Sequence, residues 1–167
     1  GTVSGGYANS VYSSWGVVGG GWYNHDHGTW SHIGGGHDNY ISGTAATVGG
    51  GQSNRIYSSW STIGGGWYSF IYSAYSTVGG GHQHWIYAYA STIGGGMYNS
   101  AKGYMSRIGG GQYNRALGSY SNVGGGYWNY VYKERSQVSG GQYNYASSYC
   151  ATVGGGGYNG VYSSYSV

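Results

Sequence analysis

The sequence lacks several ingredients of an ordinary soluble enzyme. In 167 residues it has no proline, one cysteine (Cys150), one phenylalanine and only 5% charged residues, whereas about a quarter of a typical globular domain is charged. Without proline, and with glycines that do not recur at every third position, a collagen-like triple helix is excluded. A single cysteine cannot form an internal disulfide. The low charge also differs from the disordered class, which combines low hydrophobicity with high net charge.

The few charges and the absence of long apolar runs exclude further classes. A net charge of +3 is small and scattered, so we expect no nucleic-acid partner. No apolar run approaches the length of a membrane span, so we expect no membrane span. The chain has only three acidic residues and no recurring Ser/His/Asp or Cys/His arrangement. We therefore predict that the protein is not an enzyme and uses no cofactor.

Glycine (39 residues) and tyrosine (23 residues) are abundant and follow a strict period. Written in rows of fifteen from Gly1, the chain aligns without insertion into eleven complete repeats and a two-residue stub, Ser166 and Val167. A fixed period of this kind is typical of a solenoid. We therefore interpret residues 1–167 as a single repeat array, with a segment of a longer array as the alternative.

We call the fifteen positions of the repeat columns 1 to 15 and the eleven rows coils 1 to 11. Columns 5 and 6 are always glycine, and column 11 is Val, Ile or Ala except at Asp26. Column 3 is always Val or Ile and is the predicted core column. Its members are Val3, Val18, Ile33, Val48, Ile63, Val78, Ile93, Ile108, Val123, Val138 and Val153.

The spacing of the apolar columns predicts short strands. Columns 1 and 3 share one face of an extended chain, as do columns 9, 11 and 13, so each coil should contain two short strands with these columns inward. A helix is disfavoured because three successive glycines cost about 1 kcal/mol each relative to alanine. The glycines are expected to form a corner of the coil. The predicted fold class is an all-β solenoid, a β-roll or β-helix of eleven 15-residue coils.

Column 9 is asparagine in nine coils and predicts a ladder of stacked side-chain amides. Ser69 and His84 replace it in the other two coils, and His84 is expected to hydrogen-bond in the asparagine's place. The predicted ladder consists of Asn9, Asn24, Asn39, Asn54, Asn99, Asn114, Asn129, Asn144 and Asn159.

All 31 aromatic residues fall in columns 7, 8, 10, 12, 14 and 15, outside the inward columns. Two inward branched side chains per coil cannot offset the entropy lost by fifteen ordered residues. We therefore expect self-association through the Val/Ile and aromatic columns, with a monomeric rod supported mainly by its stacked rings as the alternative. The predicted assembly residues of column 8 are Tyr23, Tyr68, Tyr98, Tyr113, Trp128, Tyr143 and Tyr158, and those of column 12 are Tyr12, Tyr57, Tyr72, Tyr87, Tyr132 and Tyr162.

The segment NHDHG is the one cluster of metal-ligating residue types. His25 and His27 share a strand face, and His32 and His37 follow nearby. The spacing matches no established zinc site. We interpret these histidines as surface residues and predict no metal.

The segments SGTAATVGGGQSN (Ser42–Asn54) and SAKGYMSRIGGGQYN (Ser100–Asn114) resemble the YadA-like head repeats of trimeric autotransporter adhesins. The resemblance covers the entire chain. It implies that each repeat is one coil of a left-handed β-roll. It also implies a homotrimer with the Val/Ile columns near the threefold axis, and an extracellular surface-binding role.

We therefore expect a non-enzymatic, extracellular or cell-surface protein with a structural or adhesive role. Its partner would be a copy of itself, in a homotrimer or an end-to-end filament, with a carbohydrate or a surface as a further partner. A silk- or amyloid-like material filament is one alternative. An ice-binding solenoid is another, since column 2 carries Thr2, Thr47, Thr62, Thr77, Thr92 and Thr152.

Overall fold

Two parallel sheets run along the whole array. In the computed structural model, which describes residues 1–165, each fifteen-residue row makes one coil and adds one two-residue strand to each sheet. The fold class predicted from the repeat, an all-β solenoid of eleven coils with two short strands per coil, is thereby confirmed. The stub, Ser166 and Val167, lies outside the described residues. Residues 1–165 contain no helix, and so none that is long and apolar enough to cross a membrane.

Columns 2 and 3 form the first sheet, and columns 10 and 11 form the second. The first sheet contains β1 (Thr2–Val3), β3 (Val17–Val18), β5 (His32–Ile33), β7 (Thr47–Val48), β9 (Thr62–Ile63), β11 (Thr77–Val78), β13 (Thr92–Ile93), β15 (Arg107–Ile108), β17 (Asn122–Val123), β19 (Gln137–Val138) and β21 (Thr152–Val153). The second sheet contains β2 (Ser10–Val11), β4 (His25–Asp26), β6 (Tyr40–Ile41), β8 (Arg55–Ile56), β10 (Phe70–Ile71), β12 (Trp85–Ile86), β14 (Ser100–Ala101), β16 (Arg115–Ala116), β18 (Tyr130–Val131), β20 (Tyr145–Ala146) and β22 (Gly160–Val161).

Every strand pairs in parallel with the strand fifteen residues away. Thr62 lies beside Thr77 in the first sheet, and Phe70 lies beside Trp85 in the second. A third line of single parallel bridges joins column 7 of successive coils, from Tyr7 to Gly157. Residue type does not predict this third line, because column 7 has no consistent residue. Identical columns therefore stack along the rod with no change of register.

The core is the interior of the single coil. Columns 3 and 11 point inward, and most of their side chains, such as Ile63 and Ile71, have no exposed surface. This corrects the expectation that the Val/Ile columns mediate self-association, because their own coil already encloses them. The placement of Val3 in the core is also wrong. Val3, in the first coil, is 43% exposed.

Some positions of the glycine corner have no room for a side chain, and others do. A Cβ at Gly66 would overlap the carbonyl oxygen of Gly81 in the next coil, and Gly66 also has a φ of +93°. A Cβ at Gly64 would overlap the carbonyl oxygen of Gly79. Gly65, between them, faces open space. Column 6 is thus glycine because the coils approach closely there, and so is column 4 except at Ser4 and Ser139. In column 5, a φ of 140–158° favours glycine in five coils, whereas Gly65 has neither such a φ nor a close neighbour.

The remaining turns of the coil use left-handed backbone at residues other than glycine. Columns 8 and 15 have φ between 51° and 64° in all eleven coils, as at Tyr68 (60°) and Tyr75 (58°). In coils 3 to 11 their N–H groups donate to the preceding coil, for example from Tyr68 to the oxygen of Gln52 at 3.0 Å and from Tyr75 to that of Ser59 at 3.2 Å. Bulky residues rarely adopt this conformation. Coil closure and these hydrogen bonds therefore impose it.

Column 13 is inward only in part, which corrects the strand pattern expected for it. It lies in a bend after each strand of the second sheet, where Gly103 and Gly118 are buried but Lys133 is exposed. A Cβ at Gly103 would overlap the carbonyl of Gly118. Glycine in this column therefore brings successive coils closer, while larger residues turn outward.

Candidate binding surface

The outer face of the second sheet carries a stack of tyrosine rings in column 12. The ring centroids of Tyr57 and Tyr72 are 5.2 Å apart at 10°, and those of Tyr72 and Tyr87 are 5.0 Å apart at 8°. Lys102 continues the column, with Nζ 5.0 Å from the centroid of the Tyr87 ring. The three tyrosines remain 44–48% exposed. Stacking along the rod thus leaves nearly half of each ring available to a partner.

Column 8 presents a second line of rings, carried by the left-handed turn. Tyr98 and Tyr113 stack at 4.8 Å and 4°, and Tyr143 and Tyr158 stack at 4.9 Å and 10°. The predicted column 8 residues divide by exposure: Tyr23, Tyr68 and Tyr158 are exposed, while Tyr98, Tyr113, Trp128 and Tyr143 are half-buried. Rings of column 10 join this line to column 12 in two coils, through Phe70, which lies 5.1 Å from Tyr68 and 6.2 Å from Tyr72, and through Tyr130. The two lines therefore form one broad aromatic face there.

The predicted column 12 residues outside the central stack find other neighbours. Tyr12 stacks on His27 at 4.3 Å and 13°, and Tyr132 packs parallel to Tyr130 at 5.9 Å. Tyr162 is exposed. Further stacks come from columns 15 and 7, which were not among the predicted assembly columns, such as Trp60 on Tyr75 and Trp67 on His82.

The asparagine side chains of column 9 bind the glycine corner to the next coil. The Nδ2 of Asn114 donates to the carbonyl oxygens of Gly110 in its own coil and Gly126 in the next, each at 2.9 Å. Its backbone N–H donates to Oδ1 of Asn99, also at 2.9 Å. Related bonds occur at Asn9, Asn24, Asn39, Asn54, Asn99, Asn129, Asn144 and Asn159. The ladder is therefore structural, and its members from coils 2 to 10 lie beneath the surface.

His84 occupies the ladder position of coil 6 and is fully buried. Its Nδ1 accepts the backbone N–H of Asn99 at 3.3 Å, which is the bond that an asparagine oxygen makes in other coils. Its Nε2 has no hydrogen-bond partner. Burial lowers the pKa of His84 to about 4. The imidazole is therefore neutral near pH 7 and keeps one of the ladder bonds.

Asp26 is the buried polar exception in column 11. Its Oδ1 accepts hydrogen bonds from the N–H of Gly28, at 3.1 Å, and from the hydroxyl of Ser31. Its Oδ2 has no partner, and a Cβ at Gly16 would come within 2.7 Å of that oxygen. Burial raises the pKa of Asp26, and the bonds from Ser31 and Gly28 only partly oppose the rise. The carboxyl group thus sits in a core position that favours its neutral form.

The histidines of the NHDHG segment do not assemble into a metal site. His27 packs between Tyr12 and Tyr40, at 4.3 Å and 5.3 Å between ring centroids. Within residues 1–165 no group of three or more His, Cys, Asp or Glu side chains is placed to hold a metal ion. The clearest ion pair of this surface is between Arg55 and Asp38, at 3.0 Å.

Comparison with known proteins identifies no relative. A scan against models of protein families gives no match, and a search of curated proteins finds no similar sequence. The resemblance to the YadA-like head repeats therefore stays a prediction.

Proposed function

We propose that this chain is a non-enzymatic, extracellular structural or adhesive β-solenoid, a head or filament segment that self-associates through its aromatic columns. The observation that carries the proposal is the exposure of rings in continuous stacks, as in Tyr57, Tyr72 and Tyr87. Contiguous exposed apolar surface is typical of an interaction site. With 5% charged residues, few charges oppose close contact between copies.

Column 5 gives independent support. Glycine occupies it in all eleven coils, yet at Gly50, Gly65, Gly80 and Gly140 a Cβ would meet nothing within 4 Å. In five other coils, at Gly5, Gly20, Gly35, Gly125 and Gly155, a φ of 140–158° already favours glycine. At the four open positions the single chain imposes no such requirement, and glycine there is explained when another backbone packs closely against this corner. The trimer implied by the YadA-like resemblance supplies such a neighbour.

The test is the mass per unit length and the particle length, measured by electron microscopy of the unlabelled protein. Coils spaced by about 4.8 Å give a single chain a length of roughly 50 Å. We expect short rods with three times the mass per length of one chain. Continuous long particles would instead support an end-to-end structural or silk-like filament. Single-chain mass on short rods at high protein concentration would overturn self-association.

A matched variant keeps this test specific. Column 12 naturally contains serine at Ser42 and Ser147, so the triple change of Tyr57, Tyr72 and Tyr87 to serine uses a residue that the coil accepts. We expect the variant to fold and to associate at least tenfold more weakly. Unchanged association would place the contact elsewhere on the coil.

An ice-binding role is a second candidate, and one observation favours it. Thr47, Thr62, Thr77 and Thr92 occupy four successive strands of the first sheet in register, on its outer face. Regularly spaced hydroxyls and methyl groups on a flat sheet form a repeating surface. Thermal hysteresis in solutions of the protein would support this role, and its absence would remove it.

A further inference from the structure

A cleft of about 190 Å³ lies on the outer face of coils 6 to 8. It is lined by Trp85, Tyr87, Tyr98, Ser100, Lys102 and Arg115. The cleft forms because Ser100 is small where both of its neighbours in column 10 are large: it pairs in register with Trp85 on one side and Arg115 on the other. The gap is thus a missing side chain in a column that carries large side chains in every other coil from coil 2 to coil 10.

The width of the gap suits one flat ring. Strands in register are about 4.8 Å apart, so Trp85 and Arg115 are attached to strands separated by about 9.6 Å. A ring in van der Waals contact with a group on each face needs about 3.5–4.0 Å on each side. A single six-membered ring therefore fits between the two side chains, and a second one does not.

The floor of the cleft contains a serine hydroxyl group that lacks a hydrogen-bond partner. Ser100 is 7% exposed, and its Oγ has no hydrogen-bond partner in the described part of the chain. A buried hydroxyl without a partner costs about 1–3 kcal/mol. The Oγ itself has almost no accessible surface, so a ligand hydroxyl supplies the missing bond once the Ser100 side chain rotates toward the cleft.

The rim is cationic and has no counter-charge of its own. Neither Lys102 nor Arg115 forms an ion pair within residues 1–165. The chain has only three acidic side chains, and all are already engaged. Asp26 is buried, Asp38 pairs with Arg55, and Glu134 lies 3.4 Å from Arg135. A second copy of this chain is therefore a poor source of the anion, which points to a different molecule.

We propose that this cleft binds an anionic carbohydrate. One sugar ring lies between Trp85 and Arg115, a ring hydroxyl bonds to Ser100 Oγ, and a carboxylate or sulfate group lies against Lys102 and Arg115. A sugar combines the three features that the cleft complements: a flat C–H face for the indole, hydroxyl groups for the floor and an acidic group for the rim. The inference rests on the adhesive part of the proposed function and names its ligand chemistry.

The test is calorimetric titration of the protein at low salt with tetrameric oligogalacturonate, with a sulfated galactan tetramer and with a neutral galactan tetramer. We expect at least one acidic sugar to bind ten times or more tightly than the neutral one, with an affinity that falls as salt rises. The carboxylated and sulfated arms tell which acid is preferred. Equal binding of the neutral sugar would overturn the proposal. So would equally tight binding of inorganic sulfate, which would indicate a site for any small anion, or tighter binding of AMP, which would indicate a nucleotide site.

Three variants locate the site. Ser100→Phe fills the gap with the ring that column 10 carries at Phe70, so the coil is retained and binding is expected to fall at least tenfold. Lys102→Ser with Arg115→Ser uses residues native to columns 12 and 10 and is expected to lower acidic binding to the neutral level. Arg107→Thr removes one charge on the first sheet, and its binding is expected to be unchanged. An equal loss in the Arg107 variant would show that general charge, and not the cleft, attracts the ligand.

These experiments distinguish a failure of the cleft proposal from a failure of the self-association proposal. If the wild-type rods have the expected mass per length but no sugar binds, the cleft proposal is rejected and self-association stands. If the rods have single-chain mass at high protein concentration and a sugar still binds, self-association is rejected and the cleft stands. The Ser100→Phe protein is expected to assemble like the wild type.

Discussion

The backbone N–H of Asn99 donates a hydrogen bond to Nδ1 of His84, 3.3 Å away. This bond requires an unprotonated Nδ1, because a protonated nitrogen cannot accept. His84 is enclosed by coils 5 and 7 in the fully buried part of the ladder. One imidazole therefore links the protonation state of the chain to the stacking of its coils.

Acid should destabilise the solenoid through His84. Its pKa is about 4 in the folded chain and 6.5 ordinarily, so the unfolded chain takes up a proton first as pH falls. The contribution of neutral His84 is present above pH 6.5 and is lost as pH falls to about 4. The shift corresponds to roughly 3 kcal/mol at 1.4 kcal/mol per pH unit.

The control is His84→Asn, which restores the residue of nine other coils. Urea unfolding at pH 7, 5.5 and 4 should show the variant gaining stability relative to wild type as pH falls. A stability difference that stays constant across this range would mean that His84 does not titrate on unfolding.

Asp26 should act with the opposite sign. Burial raises its pKa above 3.8 in the folded chain, so its contribution is largest below that pH and declines as pH rises through the folded value. Asp26→Asn retains an acceptor for Gly28 and Ser31 and cannot ionise. We expect the variant to be more stable than wild type by on the order of 1–3 kcal/mol at pH 7. The gain should vanish below pH 3.8 in thermal unfolding, and a gain that persists there would contradict the ionisation argument.

Adjacent glycines should respond differently to alanine. Gly66→Ala places a Cβ against the carbonyl of Gly81 and forces a side chain into positive φ, so we expect a loss above about 2 kcal/mol. Gly65→Ala meets open space and should change the stability of the single chain by about 0.5 kcal/mol or less.

The same pair separates folding from assembly. If column 5 contacts another copy, Gly65→Ala should weaken association while the unfolding transition of dilute protein is kept. Equal stability losses in the two variants would contradict the open space beside Gly65.

Alkali should loosen the column 12 stack. Burial raises the pKa of Tyr72, with a further rise from Tyr87 and Tyr57 beside it. The neutral phenol therefore stabilises the folded state below pH 10, and this contribution is lost as pH rises through the folded pKa. Tyr72→Phe should retain the ring contact and reduce the loss of stability above pH 10. Spectrophotometric titration should show one fewer late-ionising tyrosine in the variant, and an unchanged curve would argue against the shift.

The coil could be predicted from the repeat alone, because residues of the same chemical type recur at the same columns. Val or Ile at column 3, as at Ile63, and the apolar column 11, as at Ile71, have the two-residue alternation of strands with an enclosed face. The exposure of Val3 shows the limit of that reasoning: a column pattern describes the interior of the array better than its first coil.

Other features could not be read from residue type. Columns 8 and 15 adopt left-handed backbone with residues as different as Tyr68, Asp38 and Arg135, because coil closure selects the conformation and intrinsic preference does not. The cleft at Ser100 depends on what the neighbouring coils place beside it. A serine in column 10 has no special significance within its own repeat. It forms the floor of a cleft only because the register of the strands places Trp85 and Arg115 on either side of it.

The spacing of the stacked rings also determines what happens to absorbed light. Tyr57, Tyr72 and Tyr87 follow one another at centroid distances close to 5 Å, so electronic excitation of one ring passes readily to the next without emission. The seven tryptophans absorb at longer wavelength and collect this energy. The solenoid therefore resembles an antenna, in which many tyrosines absorb and a few indoles emit.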